Sequence, residues 1–237
     1  MRIDKNGNVG IGITAPTQKL DVNGFINTDG TTGGYKMAGN TVLYASTTNN
    51  TLAVGALSAA AWMSASSTAW YSVAVGPGAL ASTPTSGAAI SNSALGYQAL
   101  TSNTTGTSNT AVGRGALSTN TSGNYNTALG YGVLDSNVSG AGNVASGAFA
   151  LQANTTGGNN VAVGYESLYS NTSATNTVAI GISTGNGAYT LYSNQGGTLV
   201  GSYAGRNFQT GSDYNTLLGY NAGYGITTGA RNVLLGH

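Results

Sequence analysis

Asn109-Thr-Ala-Val-Gly-Arg-Gly-Ala-Leu-Ser-Thr-Asn-Thr-Ser-Gly-Asn-Tyr125 is followed at once by Asn126-Thr-Ala-Leu-Gly-Tyr-Gly-Val-Leu-Asp-Ser-Asn-Val-Ser-Gly-Ala-Gly142, the same phrase seventeen residues on. The phrase extends in both directions. Its anchor glycine returns as Gly96, Gly113, Gly130, Gly147, Gly164 and Gly181. Asn92, Asn109, Asn126, Asn143 and Asn160 lead into the anchor, and Leu100, Leu117, Leu134, Leu151 and Leu168 follow four residues after it. Asn103, Asn120, Asn137, Asn154 and Asn171 come three residues later, then Gly106, Gly123, Gly140 and Gly157. A fixed period means one structural unit stacked on itself, each copy touching only its neighbours.

The phrase Asn109-Thr-Ala-Val-Gly113 is strand-sized, and Ala116-Leu117 reads as a second apolar patch. Polar turns separate the two, where glycine supplies positive φ without steric cost. Two short strands per seventeen residues suit a flat two-sided roll, or a coil whose core other chains complete. The expected fold is therefore all-β, a parallel β-roll or β-solenoid with a 17-residue period. Ala94, Ala111, Ala128, Ala145 and Ala162 share one position, so the core is thin. Its burial offsets little of the backbone entropy lost on folding, and association into a homotrimer is expected. Stacked Asn side chains add a second source of stability, since an amide both donates and accepts along a ladder.

The flanking chain divides the sequence. Residues 1–36 read as an N-terminal capping or connector module of β-hairpins, with Asn6-Gly7 and Asn23-Gly24 as turn signals. In 37–91 the period blurs around Gly55 and Gly76, as in the same unit with longer loops. Residues 92–237 carry the regular repeats, whose last units change type: Gly205 and Gly223 stand where the leucine stood. The sequence stops one residue past an anchor glycine, at His237, so a longer parent chain is expected.

Composition narrows the functions. Charged residues are only 5% of the 237, and the formal net charge is +1. Nucleic-acid binding rests on clustered Lys and Arg, so it is not expected. There is no cysteine, no apolar run of the ~20 residues that span a bilayer, and no acid cluster with calcium-loop spacing. The single histidine is His237, and the six acids are scattered as Asp4, Asp21, Asp29, Asp135, Glu166 and Asp213. Catalysis needs titratable groups converging in one pocket; no enzyme, cofactor or metal site is expected. Aromatic residues remain as candidates for surface binding. Tyr97, Tyr131, Tyr165 and Tyr220 each follow an anchor glycine directly, and Trp62 and Trp70 share the loop after Gly55. Such a stripe binds sugar rings or protein, or shields the seam between chains. The seam is the favoured reading for the tyrosines, and packing against the solenoid for the tryptophans.

The Asn-Thr-Ala-Val-Gly units, with their Ala-Leu and Asn-Thr-Thr-Gly followers, resemble repeats in the head domains of trimeric autotransporter adhesins. They look still more like longer variants in phage tail fibres. The opening Met1-Arg-Ile-Asp-Lys-Asn-Gly-Asn-Val-Gly-Ile-Gly12 and the following Ala15-Pro-Thr-Gln-Lys-Leu-Asp-Val-Asn-Gly24 are similar to a module common in tail-fibre proteins. The resemblance implies three chains around one axis, on a virion or a cell surface, joined to adjoining fibre segments or baseplate proteins. The expected function is a structural fibre segment that spaces and presents a receptor-binding tip. The alternative is an adhesin that holds a host-surface glycan through the tyrosine stripe or the Trp62/Trp70 loop. An ice-binding solenoid is disfavoured, because Val144 and Val161 interrupt the column begun by Thr110 and Thr127.

Overall fold

The structure, a computed structural model, describes residues 1–22, 35–37, 40–46, 51–55, 71–82 and 91–236. The chain forms two compact units, Met1–Gly33 and Gly34–His237.

In the first unit, β1 (Arg2–Ile3) pairs antiparallel with β2 (Val9–Ile11). Gly7 takes φ +74° in the turn between them. The Asp4 carboxylate closes that turn by accepting the backbone N–H groups of Asn6 and Asn8 at 2.8 and 2.9 Å. The Asn8 N–H is the main cause that holds the Asp4 carboxyl below its ordinary range. β3 (Leu20–Val22) joins β2 in parallel; the hairpin expected beyond it through Asn23-Gly24 lies outside the described residues. The stretch 12–19, which contains Pro16, carries the chain back to the starting edge, so the Lys19-Leu-Asp-Val phrase enters in the same direction as β2.

The second unit opens with an antiparallel meander: β4 (Tyr35–Met37), β5 (Asn40–Ser46) and β6 (Thr51–Val54). From β7 onward every strand joins its predecessor in parallel. β7 (Val73–Val75), β8 (Ser93–Leu95), β9 (Thr110–Val112), β10 (Thr127–Leu129) and β11 (Val144–Ser146) come first. β12 (Val161–Val163), β13 (Val178–Ile180), β14 (Thr198–Val200), β15 (Thr216–Leu218) and β16 (Val233–Leu235) complete a thirteen-stranded sheet in unbroken chain order. The register places Ala111 on Ala128, Ala145, Ala162 and Ala179 in turn. One coil is one repeat. The expected parallel β-solenoid is the fold.

Among the described residues each coil from β7 to β16 carries one three-residue strand, not two. The Ala116-Leu117 patch lies in the turns that follow the strand, and Leu117 has φ +54°. Leu100, Leu134, Leu151 and Leu168 share that left-handed conformation, with φ between +51° and +53°. It costs an L-residue about 1–2 kcal/mol. Two gains offset this at the same site. Each leucine is fully buried, a transfer worth about 1.5–3 kcal/mol. Each Leu N–H also donates to the next coil, as Leu117 does to the Val133 carbonyl at 3.0 Å. Where the later coils put Gly205 and Gly223 in this column, other side chains fill the space. A Cβ on Gly205 would stand 2.8 Å from the Phe208 ring, and one on Gly223 2.8 Å from Leu217.

Two asparagine ladders thread the stack. In the first, the Oδ1 of Asn109 accepts the backbone N–H of Asn126 at 2.9 Å, while Asn109 Nδ2 donates to the Gly123 carbonyl at 2.8 Å. In the second, Asn120 Nδ2 donates to Asn103 Oδ1, Asn137 Nδ2 to Asn120 and Asn154 Nδ2 to Asn137, each at 2.8 Å. All of these asparagines are fully buried. The second ladder reverses at Asn171, which donates forward to Asn194, and the reversal leaves Asn154 Oδ1, Asn171 Oδ1 and Asn194 Nδ2 unpaired. It coincides with the enlarged coil between Gly181 and Gly201.

The two glycine columns serve different ends. The anchors do take positive φ, +131° at Gly113. Gly106, Gly123 and Gly140 do not; there a side chain has no room. A Cβ on Gly123 would lie 2.4 Å from both Asn120 Oδ1 and the Gly140 carbonyl oxygen.

Candidate binding face

On each strand the middle residue points into the coil and its two neighbours point out, as in the exposed–buried–exposed pattern of Ser93–Leu95. The sheet therefore displays two outward columns. The first is mixed, running through Val73, Ser93, Thr110, Thr127 and Val144. The second is almost wholly aliphatic: Val75, Leu95, Val112, Leu129, Ser146, Val163, Ile180, Val200, Leu218 and Leu235. Leu95 and Leu218 in that column are 50% exposed and Leu235 72%.

Beyond the anchor glycine the chain turns, and there the four tyrosines of the expected stripe stand. All are exposed, Tyr97 at 47% and Tyr220 at 57%. The structure joins them through residues from other repeat positions into one continuous file of contacts. The Arg114 guanidinium lies between Tyr97 and Tyr131, 5.7 and 5.4 Å from the two ring centres. Its Nη1 also donates to the Tyr131 hydroxyl at 3.2 Å. Phe149 meets Tyr131 edge-on at 5.0 Å and continues to Tyr165 at 6.2 Å and Tyr169 at 6.4 Å. Tyr169 packs on Tyr189 at 5.5 Å. Arg206 then sits against Tyr189 and Tyr203, and Tyr203 meets Tyr220 at 6.0 Å. Both T-shaped pairs and cation–π contacts stabilise such a file by about 0.5–1.5 kcal/mol each.

Glu166 lies under this file with φ +53°, 8% exposed. It accepts from the Tyr189 hydroxyl at 2.9 Å, from Asn186 Nδ2 at 3.3 Å and from Ser183 Oγ at 3.5 Å. Hydrogen bonding to Glu166 is also the leading cause that raises the hydroxyl pKa of both Tyr165 and Tyr189 above the ordinary range. Both tyrosines thus stay neutral donors, and the carboxylate fixes their rings. Asp135 and Asp213, the other acids of the repeat region, are engaged separately, by the Ser118 hydroxyl and by the Gln195 N–H of their preceding coils. Among the described residues no three His, Cys, Asp or Glu side chains gather as metal ligands, and no helix is long and apolar enough to cross a membrane.

At the C-terminal end of the file the surface becomes concave. Tyr203, Arg206, Tyr220, Asn221 and Tyr224 line a hollow of about 410 Å³. Arg206 Nη1 donates to the Tyr224 hydroxyl at 3.3 Å, and among the described residues no carboxylate pairs with the guanidinium. Trp62 and Trp70, the other aromatic candidates, lie outside the described residues.

No protein-family model matches the sequence, and no curated protein or solved structure matches it.

Proposed function

We propose that this chain is a structural fibre segment, part of a phage tail fibre or a comparable surface appendage, in which three copies associate along their aliphatic columns. The observation that carries the reading is the column from Val75 to Leu235, a row of Val, Leu and Ile side chains, interrupted by Ser146, held outward by parallel strands. An exposed apolar row of this length marks an association surface. Each coil advances the stack by about 4.8 Å, so the ten steps from β6 to β16 cover about 50 Å in one chain. The repeated unit suits a spacer, because length follows from the number of coils while the cross-section stays constant. The tyrosine file stands one turn further on, with hydroxyls and guanidinium groups that suit a wetter position than the column itself.

Native mass measurement of the full chain at micromolar concentration is expected to show a trimer. The double variant Leu95→Glu/Leu129→Glu is expected to give a folded monomer, since both side chains already face solvent in a single chain and lie in adjoining parts of the column. A monomeric parent, or a trimer unaffected by the two glutamates, would overturn the reading.

A further inference from the structure

We propose that the hollow formed by Tyr203, Arg206, Tyr220, Asn221 and Tyr224 is a binding site for a carboxylated sugar ring. It is a site beyond the spacing role, and the lining chooses the ligand class. The volume of about 410 Å³ lies within the range of small-molecule sites. No aliphatic side chain lines it. Instead it offers tyrosine faces, hydroxyls, an amide and a guanidinium. Tyr220 and Tyr224 are 57% and 41% exposed, so their faces are free to take the C–H face of a pyranose, as aromatic rings do.

Arg206 supplies the selectivity for an acid. It is held in place from both sides, its guanidinium carbon 6.0 Å from the Tyr189 ring centre and 5.6 Å from that of Tyr203. Among the described residues its charge has no carboxylate partner, and its Nε is buried without a hydrogen-bond acceptor. A guanidinium that is rigid, flanked by rings and short of acceptors is suited to a planar carboxylate, which it meets with two parallel hydrogen bonds. The Asn221 side chain stands beside it in the lining, with both donor and acceptor capacity for sugar hydroxyls. Arg114, the other cation of the file, lies between two exposed tyrosines and is not part of this lining.

The test is ligand-observed NMR titration of the full chain with three probes: methyl β-glucuronide, a methyl sialoside, and methyl β-glucoside as the uncharged control. At least one acidic probe is expected to bind with a dissociation constant in the range of about 1–10 mM, and the glucoside at least about tenfold more weakly. Which acidic probe binds distinguishes a hexuronate from a sialate. Arg206→Gln is expected to remove the preference for the acid, while Tyr220→Ala weakens both classes and Tyr125→Ala, far from the hollow in the repeat, changes nothing. Thermal melts of each variant accompany the titrations. Should Arg206→Gln melt early, Arg206→Lys takes its place, retaining the charge but losing the two-pronged contact, and is expected to weaken the acid severalfold. No binding of either acid at about 10 mM, equal binding of acid and glucoside, or indifference to Tyr220→Ala would overturn the proposal.

Discussion

Leu117→Asp is expected to destabilise the protein by more than about 4 kcal/mol, enough to unfold the coils around it, because it places an unpaired charge in the core. Leu117 is fully buried, its neighbours above and below are Leu100 and Leu134, and none of them offers a cation. Thr119→Asp, two residues along, is a much milder change. Thr119 is exposed, but its hydroxyl donates to the Asp135 carbonyl and, at 3.2 Å, to the Asn137 carbonyl. Losing those bonds and adding a carboxylate beside Asp135 is expected to cost about 1–2 kcal/mol. Thermal denaturation of the two variants measures the difference directly. Equal melting temperatures would place Leu117 outside the core.

Asn137→Leu is expected to be nearly as damaging, although leucine fits a buried site by size. Asn137 Nδ2 donates to Asn120 Oδ1 and to the Gly140 carbonyl, and its Oδ1 accepts from Asn154 Nδ2. Leucine would leave the buried Asn120 Oδ1 without a donor and one Asn154 Nδ2 proton without an acceptor, at about 1–3 kcal/mol for each group stranded, while the Gly140 carbonyl keeps Asn126 Nδ2. The total expected loss is about 3–5 kcal/mol. The damage also spreads, because each rung orients the next. Asn154→Leu, one rung before the ladder reverses, is expected to cost less, since Asn154 Oδ1 has no partner to lose. Denaturant titration of the two variants decides the matter. A larger loss at Asn154 than at Asn137 would mean that the ladder is not what holds this side of the coil.

The stacked coil, its period and the second asparagine ladder were legible in the sequence because they depend on recurrence alone. Side chains that return at one position every seventeen residues must meet when coils stack in register, whatever path the coil takes. The path itself was not legible. Leucine ordinarily avoids the left-handed region, so nothing local announced that Leu100 through Leu168 adopt it, and the apolar pair Ala116-Leu117 looked like a strand. The glycines at 106, 123 and 140 announced a special position, but not that its cause is the nearness of the next coil, not φ. The parallel pairing of Leu20–Val22 with Val9–Ile11 was not legible either, because nothing in residues 12–19 says which strand the chain rejoins.

The binding face was legible only in part. Tyr97, Tyr131, Tyr165 and Tyr220 share a repeat position, so their common side could be read. Phe149 and Tyr169 stand one and four residues further on in their coils, and Tyr189 and Arg206 fall in coils whose spacing has shifted. Recurrence cannot register such residues, yet they join the stripe into one file and form the hollow around Arg206. The outward aliphatic column was in plain view as the residue before each anchor glycine. Its direction followed only once the middle residue of each strand, usually alanine, was seen to be the buried one.

The account stands or falls on in-register stacking, and a spin-label distance between Ser93 and Thr198 tests it most directly. Both residues are exposed, and they occupy the same strand position six coils apart, through Thr110, Thr127, Val144, Val161 and Val178. Labelled Ser93→Cys/Thr198→Cys chain, diluted into unlabelled chain so that only pairs within one molecule report, is expected to give a distance near 29 Å, six strand spacings of about 4.8 Å. A chain running lengthwise as extended strand would separate the two labels by hundreds of ångströms, at about 3.3 Å per residue, and show no dipolar signal. That silence, in a folded sample, would contradict the stacked solenoid.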